Sequence, residues 1–279
     1  EGGDVTEGGT FDDNVRHATT KLSHIHFAAT KEYARNISSM GEEDWRIAVT
    51  GEPGLLEEDI SGDQARIKKM SQEDGLEIID KVILVTYHPT RHLNKNELEM
   101  ALSEIKKAMI ASVEYKFIIT GPGLEEGANL IRKTFKDLSK NFTHISYIEH
   151  LGRLRYHNLI KRCYAVLGNS SSGIVEVPSL NKPCINIGVR QKGRLCSDAV
   201  LHVSENYEEI VRAIALAGDR NFLKKVENSI NPYDPFRDGQ NSWRIASGCI
   251  NALKIKRSVL IEKKFNTCII EDQWNSLND

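Results

Sequence analysis

The chain has 279 residues, above the roughly 100–200 of an average domain, so one large or two modest domains are open. Its 37 basic and 39 acidic residues balance to a net charge of −2 with no long run of either sign, which argues against nucleic-acid and membrane-surface partners and favours a small polar ligand. No apolar run approaches the roughly 20 residues of a membrane helix, Glu1-Gly2-Gly3-Asp4 is no signal peptide, and five cysteines without a Cys-x-x-Cys spacing argue against a disulfide framework or a thiolate metal site, so the expected setting is cytoplasmic.

In chain order, Glu1–Gly9 is a loop holding Glu1, Asp4 and Glu7 among four glycines. A helix over Asp13–His24 follows, then a strand at Ile25–Ala29, a helix at Lys31–Met40 and a strand at Ile47–Thr50. Glu57–Gly75 mixes Gly, Asp, Lys and Gln without a clean period and reads as an interdomain connection. Beyond it, strands at Val82–Thr86, Phe117–Thr120, Ile145–Ile148, Ala165–Leu167, Cys184–Ile187 and Val200–Val203 alternate with helices at Asn96–Ser112, Glu125–Leu138, Arg153–Arg162 and Tyr207–Ala217. Asn94-Lys95-Asn96 offers a cap for the helix whose apolar face is Leu98, Leu102, Ile105 and Met109. Ser242–Leu253 is a further helix. Strands that are apolar throughout and separated by helices imply parallel pairing with helices on both faces, a doubly wound α/β fold. The region from Val82 to about Val203 is enough for one complete nucleotide-binding-type domain, whereas residues 1–56 hold two strands, too few for a doubly wound sheet of their own. The expected units are 1–60, 76–241, and a closing helix with tail at 242–279.

Gly168-Asn169-Ser170-Ser171-Ser172-Gly173-Ile174-Val175-Glu176 lies between a strand and a short helix. Small hydroxyl residues and glycine at such a turn aim backbone N–H groups at an anion, and the helix N-terminus favours phosphate there. Glu176 is placed to accept from a ribose diol. The same residues also suit an ordinary serine-rich cap with a dipole-favoured Glu. Arg190-Gln191-Lys192-Gly193-Arg194 follows the strand Cys184–Ile187, at the carboxyl edge where open α/β sheets bind ligands; a solvated loop is the plainer reading. His88, in Tyr87-His88-Pro89, ends the strand Val82–Thr86 at the same edge, suited to proton transfer, to a phosphate hydrogen bond or to a structural role. Near the start, paired carboxylates in a glycine-rich loop suit acid/base work on a sugar, although Asp12 or Asp13 can equally cap the helix. His24 and His26, two apart and without further matching ligands, do not make a metal site.

Taken together, Glu1-Gly2-Gly3-Asp4-Val5-Thr6-Glu7-Gly8, Asp12-Asp13-Asn14-Val15-Arg16-His17-Ala18, Lys21-Leu22-Ser23-His24, Tyr87-His88-Pro89, the serine turn and Arg190–Arg194 resemble the hydrolysing UDP-N-acetylglucosamine 2-epimerases, from residue 1 to about Leu253. His88-Pro89-Thr90 and Asn169-Ser170-Ser171 favour this branch over non-hydrolysing relatives, where the histidine is followed by arginines and the turn reads more like Asp-Ser-Gly-Gly. The resemblance implies two Rossmann-like domains of the B-type glycosyltransferase kind, the first incomplete, with a terminal helix crossing back. It implies a UDP-sugar substrate of the sialic or legionaminic acid pathways, a homodimer, and no metal or redox cofactor. It implies loss of the C2 proton, elimination of UDP to a 2-acetamidoglucal, and hydration to N-acetylmannosamine. By motif, Glu1 and Asp12 become the acid/base carboxylates and His88 the partner in UDP departure. Ser170, Ser171, Gly173, Arg190 and Arg194 would hold the diphosphate, and Glu176 the ribose. The chain opens inside the Glu-Gly-Gly motif, so roughly a hundred residues of the family's first strands have no counterpart. The family's Tyr-Gly-Asp-Gly-like turn is replaced by Asn231–Gly239. A B-type glycosyltransferase and a non-catalytic sugar-nucleotide sensor remain open at this point.

Overall fold

The computed structural model describes residues 2–6, 11–55, 81–90 and 93–265, apart from the side chains of Phe11 and Asp12. Glu1 and the connection expected at Glu57–Gly75 lie outside the described residues. The first unit comprises α1 (Phe11–Leu22), β1 (His26–Ala28), α2 (Lys31–Ser39) and β2 (Ile47–Val49), with β1 and β2 pairing in parallel. The second unit begins with β3 (Val82–Thr86), α3 (Lys95–Ala111), β4 (Lys116–Thr120), α4 (Ala128–Asn141) and β5 (Ile145–Ile148). It continues with α5 (Gly152–Arg162), β6 (Ala165–Gly168), the one-turn α6 (Ser171–Val175), β7 (Cys184–Ile187) and β8 (Val200–Val203). The helices α7 (Tyr207–Ala217), α8 (Arg220–Asn228), α9 (Asn241–Ala252) and α10 (Arg257–Ile261) close the chain's described part.

The six strands of the second unit are all parallel, in the order β5-β4-β3-β6-β7-β8. This is the doubly wound arrangement that strands apolar on both faces require. Within β3, Ile83 and Val85 face one layer and Val82 and Leu84 the other. The first layer packs Leu98, Leu102, Ile105 and Met109 of α3 on the sheet, and that helix starts with a full capping box between Asn94 and Glu97. The opposite layer joins α5 to Ala28, Tyr33 and Ile37, so the first unit shares an apolar core with the second.

The chain direction reverses its winding between β3 and β6, which lie side by side with Thr86 level with Gly168. Loops leaving such a pair diverge and open a crevice at the carboxyl edge. His88 and the serine turn sit on those two loops. Gly168 has φ of 141°, and a Cβ there would run into the Thr86 carbonyl, so glycine alone lets β6 turn beside β3.

α4 and α8 depart most from expectation, the other expected elements shifting by no more than a residue or two at their ends. α4 starts at Ala128 rather than Glu125, because Gly127 takes a left-handed φ of 88° and leaves Glu125 in the preceding loop. α8 was not anticipated: Asp219 caps it, accepting from the N–H groups of Asn221 and Phe222, but only Phe222 and Val226 mark its buried face. The tail is anchored from far away in sequence. The buried Arg46 guanidinium donates to the carbonyls of Val259, Leu260 and Glu262 at the end of α10, and Lys263 reaches the buried Glu42 at 2.7 Å. His26 also bonds Glu42, at 3.0 Å, which gives that histidine a structural partner. α9 lies on the first unit, with Asn241 donating to the Glu52 carbonyl and Ser242 to that of Pro53.

Candidate functional site

The crevice is organised by Asn169, whose side chain is buried and fully employed. Its Oδ1 accepts from the His88 backbone N–H at 2.7 Å, and its Nδ2 donates to the His88 carbonyl at 2.9 Å. Its own carbonyl accepts from Gln191 at 2.9 Å and from Arg190 at 3.2 Å. One asparagine therefore joins three segments singled out in the sequence: the histidine loop, the serine turn and the basic loop. Its own role had not been anticipated, although it stands inside the serine motif.

His88 is held with its ring orientation set. The Gly123 backbone N–H donates to Nδ1 at 3.2 Å, so in the neutral ring Nδ1 is the acceptor and the proton sits on Nε2. Burial, helped by the nearby Arg190 charge and opposed by Glu125, pushes the pKa down from 6.5 to about 4. At neutral pH the imidazole is thus an uncharged N–H donor. Between pH 6.5 and 4 an unfolded chain binds a proton at this position that the native chain refuses, so His88 makes native stability fall as pH drops through that window. NMR titration of the unliganded protein should place the His88 midpoint near 4, moving upward when a diphosphate is bound; a midpoint at or above 6.5 without ligand would refute this environment.

In the serine turn, Ser170 is the N-cap of α6, and its hydroxyl accepts from the Ser172 N–H. Ser172 is engaged internally, bonding Ser170 at 3.1 Å and the Tyr156 hydroxyl at 2.7 Å. Gly173 lies inside α6, where a Cβ would lie 2.6 Å from the Cys184 sulfur, so glycine lets α6 pack against β7, and its N–H donates to the Ser170 carbonyl. Glu176 follows α6 as its C-cap and bonds His157 at 3.0 Å.

A cavity of about 120 Å³ lies where the two units meet, lined by Asp4, Tyr33, Ser171, Glu176, Arg194 and Tyr233 among others. Arg194 reaches across it to Asp4 at 2.8 Å, with Arg16 a further 3.6 Å from the same carboxylate oxygen. Arg16 in turn binds Asp13 at 2.6 Å, and Thr6 donates to Asp13 at 2.7 Å. Asp13 is buried in this network; Asp12, the expected carboxylate, lies on the first turn of α1 with its side chain outside the description. The Tyr33 and Tyr233 hydroxyls meet at 2.7 Å. Burial raises the pKa of both phenols, Tyr233 to about 12, and the adjacent Asp4 charge adds to the effect. Gly3, with φ of 78° and packed on the Tyr33 carbonyl, delivers Asp4 into the cleft. A second cavity, of about 320 Å³, adjoins Glu176 and His157 and extends to Asn231 and Asp234. Arg190 lines neither of these cavities and lies 3.5 Å from Glu125.

Chemically, this edge offers neutral and cationic donors around a space closed on the far side by carboxylates, an arrangement matched to a polar ligand carrying an anion. The profile described as UDP-N-acetylglucosamine 2-epimerase matches residues 1–249. The polysialic acid biosynthesis protein P7 of Escherichia coli is 30% identical over 91% of this chain and 61% of its own length. The UDP-N,N'-diacetylbacillosamine 2-epimerase (hydrolyzing) of Legionella pneumophila is 32% identical over 88% of this chain and 61% of its own. The chain thus spans about three-fifths of the length of these relatives. In fold it is similar to the UDP-GlcNAc 2-epimerase of Neisseria meningitidis crystallised with UDP-GlcNAc, with a TM-score of 0.72 over 90% of this chain and 68% of that one, at 22% identity.

Proposed function

The chain belongs to the UDP-N-acetylglucosamine 2-epimerase family, and from that premise we propose that it serves a hydrolysing UDP-sugar 2-epimerase acting on UDP-N-acetylglucosamine or a 2,4-diacetamido relative. A carboxylate removes the proton on C2, the C1–O bond breaks with its electron pair leaving on UDP, and a 2-acetamidoglucal remains. Water then adds across C1=C2, placing a hydroxyl on C1 and a proton on C2 from the opposite face, and the free 2-epimer departs. No redox change occurs, and the balance needs nothing beyond water.

In this reading Ser170, Ser171, Arg190 and Arg194 bind the diphosphate and Glu176 the ribose, while Glu1 and Asp12 carry the proton transfers. His88 supports UDP departure as a neutral donor through Nε2, a hydrogen bond that strengthens as charge accumulates on the leaving phosphate. The observation that carries the reading is the convergence of His88, the serine turn and the basic loop on Asn169 at the point where the sheet reverses its winding. The hydrolysing activity by which the Legionella relative is named supports the hydrolysing branch. Homodimeric assembly goes with the family reading.

Ser170→Ala combined with Ser171→Ala removes two hydroxyls beside the proposed phosphate position. At about 1–3 kcal/mol for hydrogen bonds to a charged group, UDP affinity should fall roughly ten-fold or more by calorimetry. Unchanged affinity in a folded double variant would take the serine turn out of the site.

A further inference from the structure

Two buried polar atoms facing one another's residues lack partners among the described residues: Oδ1 of Asp4 and Nε of Arg194. Both side chains are more than nine-tenths buried, and both residues line the same 120 Å³ cavity. A buried carboxylate oxygen or guanidinium N–H left unpaired is costly, and each such group calls for a bound species or a catalytic role to account for it. The unmet pair is complementary, an acceptor and a donor held 5% and 9% exposed and joined through their other atoms at 2.8 Å. A ligand that satisfies both must present a hydroxyl or amide N–H beside an oxygen acceptor. The phosphates of UDP offer acceptors alone, and its ribose hydroxyls go to Glu176 in the reading above, so the donor beside the diphosphate is assigned to the glycosyl group attached to it.

We propose that Asp4 is the residue that reads the glycosyl part of the substrate, its Oδ1 accepting from a hydroxyl or amide N–H of the amino sugar while Arg194 turns toward the diphosphate. The inference rests on the UDP-sugar reading above and assigns it a specificity residue. The surroundings suit this task. Tyr33 and Tyr233 hold each other at 2.7 Å against the same carboxylate, with both phenols protonated by burial. Ser171 places the serine turn within the same cavity. Arg16, 3.6 Å from Asp4 and 2.6 Å from Asp13, holds the carboxylate in place when Arg194 shifts.

The assignment predicts effects of opposite sign on two ligands. In Asp4→Asn, Arg194 loses the anion that competes with phosphate, so UDP binds as well as before or more tightly. UDP-N-acetylglucosamine loses its acceptor and binds about ten-fold or more weakly, so the affinity it gains over UDP collapses. Both affinities are measured by calorimetry on the full-length protein, with melting temperature read alongside. A parallel fall for both ligands would make Asp4 a structural support for Arg194, and a parallel rise would make it only a counter-ion; either result overturns the proposal. Should Asp4→Asn fail to fold, the unaltered protein is titrated with monodeoxy analogues of the UDP-sugar and with the analogue lacking the acetamido group. One analogue should lose a comparable factor, and equal binding of all of them overturns the proposal. Absence of UDP binding by the unaltered protein would instead refute the UDP-sugar reading itself.

Discussion

Arg194→Ala should weaken UDP binding by about a hundred-fold or more, the largest single loss expected from the basic loop. Two effects add. A bidentate donor to the diphosphate disappears, and Asp4 is left as a buried carboxylate in the space the anion must enter, with the more distant Arg16 at 3.6 Å in place of its 2.8 Å partner. Truncating one partner of a buried charged pair typically costs about 2–5 kcal/mol, much of it from the charge left behind. Arg194→Lys keeps the charge but not the planar fork, so about a ten-fold loss is expected. Arg190→Lys should matter less, since Arg190 already spends one Nη on the Asn169 carbonyl and the other near Glu125. The two contributions separate in a double-mutant cycle: with Asp4→Asn in the background, Arg194→Ala should cost several-fold less than it does alone. Additive losses would mean that Asp4 and Arg194 act independently, and a negligible effect of Arg194→Ala would return the loop to the solvent.

His88→Ala should lower turnover by about a hundred-fold or more while UDP affinity and melting temperature change much less. The ring's state sharpens this expectation. Gly123 donates to Nδ1 and the pKa lies near 4, so the group offered to the substrate at neutral pH is a fixed, uncharged N–H. His88→Gln, whose amide can present a neutral donor, should therefore recover part of the turnover lost in His88→Ala. A proton-transfer role would not be rescued in this way. The defect belongs to elimination, so the alanine variant should hydrate synthetic 2-acetamidoglucal at close to the unaltered rate. Near-normal turnover on the UDP-sugar would end this assignment, and a lowered melting temperature with turnover falling only in proportion would make His88 structural.

The sheet was legible in the sequence because its strands are short β-branched runs, apolar on both faces, and only parallel pairing buries both. Elements with a weaker local signal were not. α8 has two buried apolar positions, and α10 has no buried residue at all, being closed by Arg46 from more than two hundred positions away. The same distinction governs the site. His88, the serine turn and the basic loop were found because each follows a strand, at the edge where such sheets bind ligands. Asp4, Tyr33, Tyr233 and Asn169 acquire their meaning from partners far off in sequence: Tyr33 meets Tyr233 two hundred residues on, and Asn169 meets His88 across 81. Asp4 stood in view among the carboxylates of the first loop, but its contact with Arg194, 190 positions on, is a tertiary fact. Asp13 behaves likewise. Next to Asp12 in the sequence it carries the same capping chemistry, and its burial against Thr6 and Arg16 is a tertiary fact.

The hydrolysing assignment is tested most directly by following one reaction in D₂O by proton NMR, with UDP-N-acetylglucosamine and its 2,4-diacetamido relative each supplied to the full-length protein. The account predicts that free UDP and free sugar appear together in equal amounts, the sugar inverted at C2 and carrying deuterium there from solvent. An epimer still attached to UDP, free N-acetylglucosamine without inversion or deuterium, or no reaction with either sugar nucleotide would contradict it.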